Sequence, residues 1–499
     1  MTGARPESGR LRERTLRSVF WILVFNVARA LALFLLPWAV AWLGGPVELG
    51  LAQLAYAVYA VVLPFVTLGT KAAILQREDA SQSYLSSVFW VNVLMGVVTG
   101  AVLALAAPWI AAMGDGDPRL VLIVRWMGAV CFVFSLTVVQ SALLSRRLEY
   151  RVQTLANMGG GVAAALAGIG AALAGARLGA LGAAAAAYLA VSTSALWVAG
   201  RWRPSLTFHR EDAVSAIRFG VTASAASFGF NLSLQLERFL ISSLFGQAAL
   251  GLYGAARNIN RDTLRNLMRI SDEVLLPGLA SLQSEPERAR AYYLKALRFE
   301  FLLFAPAAVF MAVFARDLVL LVYGDEWLEI VPLVQVLTPL VLFSITRHTV
   351  GAVFLSKGRP DTQLWWSVLM IALVATFTLA GSPWGLFGAV TALSTLEVFG
   401  WLASHRMANR LIELPMRRFL GNLLVPLAAA MVFGGLLLVL RRLAGGNGAT
   451  ASWPGTVAWA ACAVPLYAAV LHALDAELSR SLWRTLADTV RRPAAPPDA

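Results

Sequence analysis

Leu244-Phe-Gly-Gln-Ala-Ala-Leu-Gly-Leu-Tyr-Gly-Ala-Ala256 restates an earlier stretch, Leu43-Gly-Gly-Pro-Val-Glu-Leu-Gly-Leu-Ala-Gln-Leu-Ala55, at an offset of 201 residues. The shared frame is Leu-x-Gly-x-x-x-Leu-Gly-Leu-x-x-x-Ala. In each copy a glycine-marked break opens an apolar run, the pattern of two spans joined by a tight connection. Two further matches keep the order: Gly114-Asp115 with Gly324-Asp325, and Leu144-Ser145-Arg146 with Leu355-Ser356-Lys357. The offset drifts to 211, as loop insertions would make it. The chain therefore reads as two copies of one unit.

Composition says what the unit is made of. Of 499 residues, 59% are hydrophobic and 14% charged, which excludes an ordinary soluble domain and indicates a polytopic helical membrane protein. Runs long enough to span fall at 18–43, 49–70, 85–112, 120–145, 155–175, 178–200, 214–245, 248–270, 297–323, 328–355, 362–381, 385–404, 418–440 and 454–474. The expected fold is all-α, with about 14 transmembrane helices. Residues 1–205 form a first lobe (cytoplasmic tail and helices 1–6) and 206–412 a second lobe (helices 7–12). Residues 413–475 hold two extra helices, and 476–499 are a cytoplasmic tail. Six is even, so both copies run the same way, as a parallel repeat about an axis along the membrane normal.

The net charge of +13 fits this topology. The gaps Gly44–Glu48 and Gly246–Ala249 carry no Lys or Arg, whereas Arg146–Arg151 carries three. Positive loops stay inside, which puts both termini in the cytoplasm. The basic excess then meets anionic lipid headgroups rather than nucleic acid. The run 18–43 follows a basic start, Arg5 to Arg17, and is too long for a signal-peptide core, so it reads as a retained first helix.

Chemistry-bearing motifs are scarce. Cys131 and Cys462 lie in apolar runs, and the four histidines are scattered. No P-loop, H-E-x-x-H or G-x-S-x-G occurs. We expect no metal, no cofactor and no catalytic residue. From Gly159 to Ala187, 22 of 29 residues are Gly or Ala, while Val162, Leu166, Ile169 and Leu173 make one bulky stripe. This pattern predicts tight helix packing on the smooth side.

The ionisable residues inside the runs are the candidate site. Arg257, Arg261, Arg265 and Arg269 recur every four residues, so on an α-helix they share one face. Each guanidinium near the bilayer centre costs ~2.5–3.5 kcal/mol and cannot shed its proton. Such a face must line a wet cavity or meet anions. Its alternatives are an amphipathic helix that has already left the membrane and a voltage sensor, whose arginines would recur every third residue rather than every fourth. The repeat places Tyr56, Ala60, Pro64 and Leu68 at the equivalent positions, so structure alone does not demand the charges. Arg29, in mid-run with Asn26 one turn before it, is a second cationic candidate. Glu237-Arg238 interrupts the seventh run; Arg238 is a substrate-binding candidate and Glu237 an ion-coupling one, against a structural ion pair. Glu397 is a lone carboxylate, either a proton or sodium site or the partner of a base on another helix. Arg125 and Arg347-His348 stand near boundaries and read as snorkelling.

Fourteen spans, a six-plus-six repeat and in-span basic residues resemble the polysaccharide transporters of the multidrug/oligosaccharidyl-lipid/polysaccharide (MOP) exporter superfamily. The Leu244–Ala256 segment is similar to that family's link between helices 7 and 8. Val274–Gln283, Leu321–Trp327 and Ser356–Pro360 are similar to its signatures in helices 8 to 11. The resemblance covers about residues 15–420 and is nearest to the Wzx-type flippases of O-antigen and exopolysaccharide synthesis. It implies movement of an undecaprenyl-pyrophosphate-linked oligosaccharide across the inner membrane by alternating access, with no bond made or broken. The implied partners are that lipid, membrane lipids, and polysaccharide polymerase and export proteins, with H+ or Na+ as a coupling ion. The family often has Asp where this chain has Glu237. The alternatives are a lipid II flippase, a MATE-type drug antiporter, and a membrane polymerase or ligase. A MATE-type antiporter favours acidic residues for its cations, and an enzyme needs a catalytic loop that the short gaps lack.

Overall fold

The computed structural model describes most of residues 40–476; segments 1–37 and 481–499, the stretches 263–274 and 445–452, and scattered positions between them are not described. The described residues are helical, with no strand among them. Among the described residues, ten helices are long and apolar enough to cross a membrane, or eleven if the bent pair Asp325–Thr338 and Val341–Phe354 is one span. That count falls below the fourteen runs for two reasons. The run 18–43 lies almost wholly outside the described residues. Two of the helices, Ser227–Asn260 and Trp365–Leu411, each hold two runs.

Backbone chemistry sets the breaks. Gly246 sits at φ 83°, ψ −178° and divides the long helix Arg210–Arg257 into two. Its repeat partner Gly45, just ahead of the helix Pro46–Thr67, sits at φ 91°, ψ −170°. Only glycine adopts this region without strain, so the repeat read from letters is also a repeat of conformation. The run 120–145 is broken by a turn at Leu136–Thr137 into Pro118–Ser135 and Val138–Arg146. The run 297–323 begins earlier than expected, at Pro286, and breaks at Phe314. The bend of 46° in the tenth run falls beside Pro339, which cannot donate into the helical ladder.

The chain forms two compact units: residues 1–255 with 367–386, and residues 256–366 with 387–499. In the first, Pro46–Thr67, Gln82–Ala112, Pro118–Ser135, Tyr150–Leu173 and Arg177–Gly200 pack with the long helix from Arg210. Small residues let the backbones approach. A Cβ on Gly160 would lie 3.0 Å from the Tyr188 ring, and one on Gly168 3.2 Å from the Ala184 methyl. The stripe opposite points outward, with Leu166 69% and Leu173 74% exposed.

A close approach joins the two matching segments. A Cβ on Gly50 would stand 1.8 Å from the carbonyl oxygen of Gln247, and a Cβ on Gly251 1.8 Å from that of Pro46. Gly50 corresponds to Gly251, and Pro46 to Gln247, so the contact is reciprocal. Each glycine Cα–H faces a carbonyl at a distance no side chain permits. The Asp115 carboxylate accepts from the Gln247 N–H at 2.8 Å and so caps the helix that starts there.

The second unit centres on Tyr293, Phe301, Phe354, Trp401 and Phe419, all buried. Met416–Leu443 and Trp453–Leu474 pack on Pro286–Val313 through Phe433, Tyr467 and Leu471. Arg441, at the far end of the first of these, is buried with Asp317 as its carboxylate partner, donates to the Val313 carbonyl and lies 5.0 Å from the Phe314 ring. It anchors the short helix Ala315–Val322 to the unit.

Candidate functional site

Arg238 stands deep in the first unit, 5% exposed. Its Nε donates to Gln53 Oε1 at 3.0 Å, and another guanidinium nitrogen donates to Gln235 Oε1. The guanidinium carbon lies 5.7 Å from the centre of the Tyr56 ring. Helix periodicity builds this seat: Gln53 and Tyr56 are one turn apart on Pro46–Thr67, and Gln235 is one turn before Arg238. Gly254 leaves the room, since a Cβ there would meet the Gln53 carboxamide at 2.9–3.1 Å. Carboxamides and a ring face orient the fork. Glu237, one residue before it, is also buried, at 9% exposure.

Arg257, the first rung of the arginine series, belongs to the second unit and is 2% exposed. It ends the α-helix; residues Asn258–Asp262 form a π-turn. Asn258 Nδ2 donates to Tyr323 Oη at 3.1 Å, and Asn260 Nδ2 to the Val334 carbonyl at 2.7 Å. The wider π-turn resets the helical face by roughly one residue, so the one-face geometry of a pure α-helix does not carry through Arg261. Arg261 lies in that turn with its side chain outside the description; Arg265, Arg269 and Arg29 lie outside the described residues.

Glu397 is held by Arg347. The guanidinium donates to its two carboxylate oxygens at 2.8 and 3.5 Å. The arginine read as snorkelling thus supplies the basic partner foreseen as Glu397's alternative. A turn away, Trp401 Nε1 donates to Thr346 Oγ1 at 2.8 Å, and Tyr293 Oη meets His405 Nδ1 at 2.7 Å. The structure gathers Arg238 with Gln53, Gln235 and Tyr56 in one unit, and Glu397 with Arg347 in the other. Sequence reading missed the three neutral groups. Their signal was a polar residue one helical turn from another inside an apolar run.

The protein has the fold of helical transporters of the MOP superfamily. Its structure is similar to the lipid II flippase MurJ in an inward closed conformation, at TM-score 0.73 and 11% identity, over 91% of this chain and 99% of that one. It is also similar to an inward-facing multidrug resistance MATE family transporter, at TM-score 0.61 and 15% identity, over 78% and 99% of the two chains. Residues 39–332 match the family described as polysaccharide biosynthesis protein, and the chain belongs to that family. Among its relatives is the lipopolysaccharide biosynthesis protein WzxC of Escherichia coli K12, 24% identical over 72% of this chain and 73% of the relative. Another is the succinoglycan biosynthesis transport protein ExoT of Rhizobium meliloti, 22% identical over 75% and 80%.

Proposed function

We propose that the protein moves an undecaprenyl-pyrophosphate-linked oligosaccharide across the inner membrane, for assembly of a surface polysaccharide. The observation that carries this reading is the buried guanidinium of Arg238, seated on Gln53, Gln235 and Tyr56 inside an apolar unit. Arg257 adds a second buried cation on the same stretch of chain. Pyrophosphate and sugars cannot enter hydrocarbon alone, because their desolvation is too costly. Guanidinium forks match phosphate oxygens in pairs, so Arg238 and Arg257, with Arg29, Arg261, Arg265 and Arg269, serve the headgroup while the prenyl tail stays in lipid. The site is exposed alternately to the two sides of the membrane, and no bond changes. A coupling H+ or Na+ acts at Glu397 or Glu237; at Glu397 it competes with Arg347 for the carboxylate. Both termini lie in the cytoplasm, and residues 1–205 and 206–412 act as the two repeat lobes.

Complementation tests the reading. In a strain lacking its own flippase, the wild-type chain restores surface glycan, whereas Arg238→Ala and Arg257→Ala at matched membrane levels do not. Full restoration by both variants would remove the arginines from the mechanism.

A further inference from the structure

The first eleven residues of the long helix, 210–220, sort their charges onto opposite sides. Ala213, Ala216, Ile217 and Gly220 pack inward; a Cβ on Gly220 would lie 1.5 Å from the Leu68 carbonyl oxygen. Asp212 joins that side, 3.6 Å from Arg77 and 3.3 Å from the Ser83 hydroxyl. The other face, Arg210, Glu211, Val214, Ser215 and Arg218, lines an open cavity of about 860 Å³. That volume lies in the range of ligand sites, roughly 300–1,000 Å³. Among the described residues no carboxylate lies within 4 Å of either Arg210 or Arg218, and Asp212 is turned away.

Arg218 sits about 12 Å along the helix from Arg210, by the helical rise. Arg218 is exposed and precedes the apolar span that begins at Ser227. The helix start adds partial positive charge beside Arg210. Two forks, a hydroxyl and one carboxylate at the rim are the chemistry of a phosphorylated sugar: guanidinium for phosphate, Ser215 and Glu211 for hydroxyls.

We propose that Arg218, with Arg210 and Ser215, forms a loading site for the phosphate-bearing headgroup of the transported lipid, at the end of the helix that the charge pattern assigns to the cytoplasm. This rests on the reading of the substrate as a glycan carried on a polyprenyl pyrophosphate. The loading site is separate from the buried seat at Arg238, which lies twenty residues further along the same helix.

The test is binding of undecaprenyl pyrophosphate to the full chain in nanodiscs, followed by native mass spectrometry, with phosphatidylglycerol and inorganic pyrophosphate as competitors. Arg218→Gln and Arg210→Gln should each weaken binding about tenfold with unchanged thermal stability, because both side chains are exposed. Val214→Trp, which keeps both charges and fills the wall between them, should weaken it as well. Inorganic pyrophosphate should compete; phosphatidylglycerol in tenfold excess should not. Wild-type binding that all three variants retain would overturn the loading site and leave the substrate reading standing. Equal displacement by phosphatidylglycerol would make the wall a site for bulk anionic lipid and overturn the assignment. No binding by the wild type would overturn both.

Discussion

Arg347, in the turn between Val331–Thr346 and His348–Ser356, forms a two-point ion pair with Glu397 of Gly385–Leu411 in the same unit, 2.8 Å at its shorter contact. The side chains are 21% and 12% exposed, so little water shares the charge. Removing one partner leaves the other desolvated, a change that costs ~3–5 kcal/mol when burial is complete. We expect Glu397→Gln and Arg347→Met each to lower the melting temperature in detergent, and the double variant to regain most of the loss. If an ion acts at Glu397, transport stays impaired in the stable double variant and loses its sensitivity to an uncoupler. Normal, uncoupler-sensitive transport by that variant would reduce the pair to a structural tie.

Arg238→Lys separates charge from shape. The ammonium keeps the charge but cannot bridge Gln53 and Gln235 as a planar fork does. Transport at matched membrane levels should fall about tenfold, equivalent to ~1.4 kcal/mol. Wild-type rates in the lysine variant would show that charge alone suffices at this position.

Gly50→Ala and Gly251→Ala should behave as a matched pair. Each methyl would stand 1.8 Å from a carbonyl oxygen, so two backbones must part. Overpacking of this kind costs ~1–3 kcal/mol. Both variants should lose thermal stability by similar amounts. Gly246→Ala should lose more, because its φ of 83° adds strain and its Cβ would meet Asp115 Oδ1 at 2.4 Å. Stability scans of the three purified variants check the order.

Asp117 gives a pH signature. Its carboxylate accepts from the Arg119 side chain and backbone at the start of Pro118–Ser135, which holds its pKa below the usual carboxylate value. A depressed pKa means the stabilisation is full above the unfolded pKa, about 3.9, and is lost as pH falls through the folded value. Asp117→Ala should therefore lower stability by ~1 kcal/mol equally at pH 5 and pH 8. The gap from wild type should close only in more acidic solution; a gap that closes between pH 8 and 5 would contradict the assignment.

Much of the fold was legible because lipid imposes it. Apolar runs must be helices, and the glycines matched in the letters, Gly45 and Gly246, share a φ near 90°. What periodicity does not encode is contact between distant helices. Nothing local ties Arg347 to Glu397, fifty residues on, or Gln53 to Arg238. The π-turn at Asn258–Asp262 is equally silent in the letters, since its cause is tertiary: Asn258 and Asn260 reach Tyr323 and the Val334 carbonyl. Arg257, the first of the arginine series, is buried, and only a geometry formed after folding says which way a guanidinium points.

The reciprocal seat of Gly50 on Gln247 and of Gly251 on Pro46 maps onto itself when the two segments are exchanged. That is the defining property of an isologous interface, the kind two identical subunits make about a two-fold axis. Half of this chain would carry both sides of the contact on a single surface. Expressed alone, it would have the means to pair with its own copy, and a tandem duplication of such a half needs no new interface, only a linker.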